Sequence, residues 1–186
     1  ALPDLEAKLD IPVLGVVEPG AKAALGATRN RAVGVIGTSG TVASNAYGSA
    51  LKKLDPGVRI VSRACPLFVP LVEEGWTENE VAAAAAKRYL GSMAGEGIDT
   101  LILGCTHYPL LSKTIAGAVG AGVSLVDSAE TTANALAGLL ESRSIASLSG
   151  SRPEHHIYVT DLPARFEAIA HRFLEGALPP VTRVDL

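Results

Sequence analysis

Cysteine is scarce in this 186-residue sequence, which holds only Cys65 and Cys105. The two have no disulfide spacing, which points to a reducing, cytoplasmic setting. No uninterrupted apolar run approaches the roughly 20 residues needed to span a bilayer. No basic segment leads into an apolar one either, so neither membrane insertion nor secretion is expected. Charge of one sign is also missing. Sixteen Lys and Arg against 19 Asp and Glu leave a net charge of −3, which gives no electrostatic footprint for nucleic acid. Aromatic residues make up 4% of the chain, while glycines number 19. With its alanine-rich segments, that composition suits close packing of helices on a sheet. His155 and His156 have no partner at metal-ligand spacing, so the pair reads as structural and no metal site is expected. What the chain does have is apolar content. Hydrophobic residues make up 48% and charged ones 19%, as in globular proteins. The length allows one sizeable core, or one complete domain and part of another.

The chain alternates between helical and extended patterns. Residues 1–9 read as the back half of a helix and 13–17 as a strand. Pro19-Gly20 reads as a break and 21–27 as a short helix. Residues 32–36 read as a strand, 42–54 as a helix, 55–57 as a turn and 58–62 as a strand. Residues 67–75 read as an apolar turn and short helix. Thr77-Glu78-Asn79-Glu80 has the form of a capping box opening a helix to about Met93, with Val81, Ala84, Ala85, Arg88 and Tyr89 on one face. Further on come a strand at 101–103, a helix at 109–118, a strand at 123–127 and a helix at 129–141. A serine-rich surface loop at 142–151 follows, then a strand at 155–160. A helix at 164–174 with Phe166, Ile169, Ala170 and Phe173 inward leads to a terminal strand at 181–184. Strands alternating with helices define an α/β fold built on parallel sheets.

One stretch organises the rest: Thr100-Leu101-Ile102-Leu103-Gly104-Cys105-Thr106-His107-Tyr108-Pro109-Leu110-Leu111. The apolar run is closed by Gly104, and Pro109 suits the first helical position. It therefore reads as a strand, a turn carrying Cys105, Thr106 and His107, and a helix. Such turns lie at the carboxyl ends of parallel strands, where ligands bind. The positive end of the following helix would favour the Cys105 thiolate. Gly37-Thr38-Ser39-Gly40-Thr41 occupies the corresponding turn after an earlier strand. It is neither a dinucleotide fingerprint nor a P-loop. Its hydroxyls and backbone N–H groups either seat a carboxylate, or Thr41 or Ser39 merely caps the helix. Glu73 closes a short helix after Cys65-Pro66, where a carboxylate is either a solvated end charge or part of a site.

Three motifs in order, Ile36-Gly37-Thr38-Ser39-Gly40-Thr41, Ala64-Cys65-Pro66-Leu67-Phe68-Val69-Pro70-Leu71-Val72-Glu73-Glu74-Gly75 and Gly104-Cys105-Thr106-His107-Tyr108-Pro109, resemble those of glutamate racemases. The resemblance implies two α/β domains facing each other across a cleft. Residues 21–126 would form one of them, and 1–20 with 127–186 part of the other. It further implies that Cys105 is the second of two catalytic cysteines, and that Glu73 and His107 assist it. Thr38, Thr41, Thr106 and His107 would bind the substrate. The family's first cysteine lies in a Cys-Asn-Thr-Ala motif, preceded by an Asp-Ser motif, and neither occurs in this sequence. The chain is thus expected to lack the corresponding N-terminal third, to be inactive alone, and to associate with another copy as a homodimer or with the missing segment.

Racemisation removes a Cα proton from one face and delivers one to the other, so two opposed acid–base groups are needed. Cys65 and Cys105 both sit at strand ends on one edge of one sheet, which argues against their being that pair. Cys65 reads instead as a buried neighbour. No pyridoxal phosphate signature is present, and no cofactor is expected. The function implied is cofactor-independent interconversion of L- and D-glutamate, supplying D-glutamate for peptidoglycan. The alternatives are an aspartate racemase or related cysteine isomerase, and a non-catalytic domain binding a dicarboxylate or a protein partner.

Overall fold

A computed structural model describes residues 2–147, 154–161, 163–174 and 178–185. It divides into two compact units, Ala1–Ala146 and Ser147–Leu186. The first is built on a four-stranded parallel sheet of β1 (Ala32–Gly37), β2 (Arg59–Ala64), β3 (Thr100–Leu103) and β4 (Ser124–Asp127), in the order β2-β1-β3-β4. The two central strands are buried at every residue. Side chains alternate between faces along a strand. Val33, Val35 and Ile102 therefore point to one side, and Ile36, Leu101 and Leu103 to the other.

Each face has its own helical cover. On the first lie α2 (Val17–Ala27) and α4 (Ala46–Leu54), with Ala21, Ala24, Tyr47 and Leu51 in its core. On the second lie α5 (Phe68–Glu73), α6 (Glu80–Leu90) and α7 (Ser112–Val119), with Phe68, Leu90, Met93, Tyr108 and Ile115 in its core. The remaining helices of this unit are α1 (Leu2–Lys8), α3 (Ser39–Ser44) and α8 (Ser128–Ser142). Parallel strands buried on both faces are the usual product of helical crossovers.

At the amino edge of the sheet, Asp99 ties the loop after α2 to β3. Its carboxylate accepts from the Thr28 hydroxyl at 2.5 Å and from the backbone N–H groups of Arg29 and Asn30 at 2.7 and 2.9 Å. The second unit pairs β5 (Ile157–Val159) with β6 (Val181–Arg183) in parallel and carries α9 (Pro163–Phe173).

Several expectations are corrected. Residues 13–15 form no strand, and Val16 and Val17 belong to the entry into α2, because no strand among the described residues pairs with this segment. Pro19-Gly20 does not break the chain there. Pro19 lies in the first turn of α2, where its missing N–H costs nothing. The helix expected at 42–54 is two helices, separated by Asn45 in the left-handed region at φ 50°. Asn79, not Thr77, caps α6, its side chain accepting from the Ala82 N–H. With the start moved, the buried face is Ala82, Ala86 and Leu90, while Val81 is 46% exposed. The helix after Cys105 opens as a 3-10 turn, Tyr108–Leu111, before α7 begins. In α9, Phe166 and Phe173 are exposed and Ala170 is buried. Of the loop expected over 142–151, residues 148–151 lie outside the described residues.

Candidate functional site

The register of the sheet decides what meets at its carboxyl edge. Ile36 pairs with Leu103, and Gly37 with Ala64. The ladder runs on past the strands, with Gly104 N–H donating to the Ile36 carbonyl at 2.8 Å and Cys65 N–H to the Gly37 carbonyl at 2.9 Å. Thr38, Cys65 and Cys105 therefore leave the same edge on neighbouring strands. Gly37 and Gly104 allow this close approach. A Cβ at Gly37 would lie 2.9 Å from Thr41 Cβ, and one at Gly104 would lie 2.8 Å from the Ile36 carbonyl oxygen.

Beyond Gly104 the chain turns, and Tyr108 N–H donates back to the Cys105 carbonyl at 3.1 Å. His107 stands between three partners. Its Nδ1 lies 4.0 Å from Cys105 Sγ and 3.4 Å from Thr106 Oγ1, and its Nε2 lies 3.6 Å from Glu73 Oε1. The result is a carboxylate, an imidazole and a thiol in series. Aromatic packing brings Glu73 into reach. The Phe68 ring in α5 meets Tyr108 edge-on, with centroids 5.2 Å apart, and meets Tyr89 of α6 in the same way at 5.4 Å. Tyr108 also donates its hydroxyl proton to the Cys65 carbonyl at 2.9 Å. The Cys65 loop and α5 are thereby pinned against the turn that carries Cys105.

The two thiols differ in access. Cys65 is fully buried, and burial pushes its thiol up to about 12. Its Sγ lies 3.8 Å from the Arg63 carbonyl oxygen. Cys105 is half-buried at the wall of a cleft of about 360 Å³, together with Thr106, Tyr47 and Ser128. Burial raises its thiol above the ordinary value, and the backbone N–H groups of His107 and Tyr108 offset this only in part. Desolvation thus outweighs, at this turn, the expected helix-end preference for thiolate.

Thr38 and Thr41 form a pair of their own. Thr38, rather than Ser39 or Thr41, caps α3, accepting from the Thr41 N–H at 3.3 Å, and the two hydroxyls lie 3.0 Å apart. They stand at the turn beside Gly104, at the end of the strand next to β3. Cys105, Thr106, His107 and Glu73 are thus brought together, with the threonine pair on the adjoining turn.

Tyr47 and Ser128 were not singled out by the sequence. Ser128 carried a signal, since it follows a strand at the same edge. Its Oγ donates to the Leu103 carbonyl at 3.0 Å. Tyr47 carried none, because its placement depends on the break at Asn45. Among the described residues, no group of three or more His, Cys, Asp and Glu side chains is arranged to hold a metal ion. No helix there is long and apolar enough to cross a membrane.

A parallel α/β sheet with a carboxylate, an imidazole and a thiol in series at its carboxyl edge has the layout of a proton-transfer enzyme. Residues 1–136 match the Asp/Glu/Hydantoin racemase family, and the chain belongs to that family. It is 50% identical to the glutamate racemase of Geobacter metallireducens, over 100% of this chain and 69% of that protein. It is 48% identical to that of Syntrophus aciditrophicus, over 98% and 67%. The crystal structure of glutamate racemase isoform RacE1 from Bacillus anthracis superposes with a TM-score of 0.94 at 40% identity, covering 100% of this chain and 69% of that one. The glutamate racemase of Francisella tularensis in complex with D-glutamate gives 0.88 at 32% identity, covering 97% and 66%. The chain spans about two thirds of the length of these relatives.

Proposed function

We propose that this chain carries one half of the active site of a cofactor-independent glutamate racemase, with Cys105 as one of its two acid–base groups. The observation that carries the reading is the series Glu73–His107–Cys105 at the carboxyl edge of the sheet. A raised thiol suits the half-reaction in which Cys105 returns a proton to the Cα carbanion, leaving a thiolate. In the reverse half-reaction the thiolate takes the Cα proton of L-glutamate and becomes the thiol again. His107 stands where it can take up or return the Cys105 proton between turnovers, with the Glu73 carboxylate 3.6 Å from its Nε2. Thr106, His107, Thr38 and Thr41 supply hydrogen-bond donors for the substrate's carboxylates, which carry the charge that grows as the carbanion forms.

The opposite face of Cα requires a second acid–base group, and Cys65 does not fill that role, being fully buried on the same edge. The remaining family features belong to the same reading. In the whole protein, residues 21–126 form one domain, and 1–20 with 127–186 contribute to another across a cleft. The product is D-glutamate for peptidoglycan, made in the cytoplasm, and the assembly is a homodimer.

The test is a pair of substitutions in a protein extended to the full length of its relatives. Cys105→Ser is expected to lower kcat by about 10³-fold or more, and Cys65→Ser by less than about tenfold. Comparable losses from both would sink the assignment.

A further inference from the structure

Tyr47 is 4% exposed, yet it lines the cleft beside Cys105. Its ring is held at both edges by glycines. A Cβ at Gly20 of α2 would lie 3.2 Å from Cε1, and one at Gly104 would lie 2.9 Å from Cε2 and 3.4 Å from Cδ2. Neither edge has room for a side chain, so the ring fills the space between α2 and the residue that precedes Cys105. On the same cleft wall, Ser128 at the start of α8 donates its hydroxyl to the carbonyl of Leu103 at 3.0 Å, which ties α8 to the end of β3 immediately before the reactive turn.

We propose that Tyr47 is a positioning residue for Cys105, fixing the Gly104–Cys105 turn from the α4 side and keeping water from that side of the thiol. The proposal rests on the reading of Cys105 as an acid–base group. One further observation favours it. The side chains completing the cleft beyond Tyr47 include Ala129, Ala133 and Leu136, so the aromatic ring extends an apolar wall. Removing the ring would open that wall and the half-buried sulfur to solvent. A thiol whose ionisation is opposed by burial then ionises more readily.

The experiment reads Cys105 directly and needs no turnover. The 186-residue chain and its Tyr47→Ala, Tyr47→Leu and Tyr47→Phe variants are alkylated with iodoacetamide across pH 6–11, with each cysteine followed by peptide mass spectrometry. Fully buried Cys65 serves as the internal report of unfolding. Tyr47→Ala is expected to lower the Cys105 midpoint by about half a pH unit or more and to speed its alkylation at pH 7 several-fold. Tyr47→Phe, which keeps the ring, should stay near the parent. Should Tyr47→Ala expose Cys65, Tyr47→Leu carries the test, since it keeps bulk in the core but not the edge against Gly104. An unshifted Cys105 midpoint in either variant with Cys65 still protected would overturn the proposal. So would a shift in Tyr47→Phe equal to that in Tyr47→Ala, which would assign the effect to the hydroxyl rather than the ring. The midpoint reports the surroundings of Cys105 whatever reaction it serves. Failure here is therefore distinct from failure of the racemase reading, which the Cys105→Ser kinetics decide.

Discussion

Cys65 and Cys105 leave the same edge of one sheet with β1 between them, and their surroundings separate them. The native fold holds the Cys65 proton more tightly than the unfolded chain does, its value moving from an ordinary 9.0 to about 12. That contribution to stability is fully present below pH 9 and is lost as pH rises from there toward 12, because the unfolded state then sheds a proton that the folded state keeps. Urea titrations between pH 8 and 11 should show stability falling with pH, and Cys65→Ala should flatten that slope. An unchanged slope would place the alkaline loss elsewhere. Glu73 lends itself to a second substitution. Glu73→Gln keeps the shape and removes the charge facing His107 Nε2. In the extended protein we expect kcat to fall about 10- to 100-fold with KM little changed. A mainly KM effect would make Glu73 a substrate contact instead. These residues were legible because Gly-Cys-Thr-His-Tyr-Pro and the Cys65–Glu73 stretch are compact in sequence. Tyr47 was not, since nothing local marks a tyrosine 58 positions before Cys105 as its neighbour.

At the scale of elements, the turn before the cleft depends on how α3 gives way to α4. Asn45 takes φ 50° and ψ 24°, a conformation that Asn tolerates and Ala resists. Asn45→Ala is expected to cost about 1 kcal/mol, and Asn45→Gly to lie close to the parent, both measured by urea denaturation. Equal losses from the two would mean that the Asn side chain, not the backbone angle, matters there. The sequence showed an uninterrupted helical pattern across this point, because a single left-handed residue leaves hydrophobic periodicity almost intact. The apolar run at 13–17 failed for a different reason. A strand is defined by its neighbour, and a β-branched pattern alone does not supply one. The start of α6 was missed because Thr77 and Asn79 both suit a cap, and the choice between them was made by packing. That packing buries Ala82, Ala86 and Leu90.

For the molecule as a whole, the parallel α/β architecture was readable because strands buried on both faces appear as continuous apolar runs between helical segments. The order β2-β1-β3-β4 was not, since pattern says which segments are strands but not which lie side by side. That order matters to function. It puts both cysteines of the chain on one edge, with one of them sealed in the core, so a single accessible thiol faces the cleft. One acid–base group can remove and return a proton on one face of Cα only, which gives exchange with retention and no inversion. The 186-residue chain, incubated with L-glutamate in D₂O, should therefore form no D-glutamate at an enzymatic rate by chiral chromatography. Slow Cα deuteration of the L-enantiomer, read by proton NMR, is the most that Cys105 alone supports, and Cys105→Ser should abolish it. Appearance of D-glutamate at an enzymatic rate would require a second base within these residues. Cys65, the other thiol at that edge, would then have to leave the core to act.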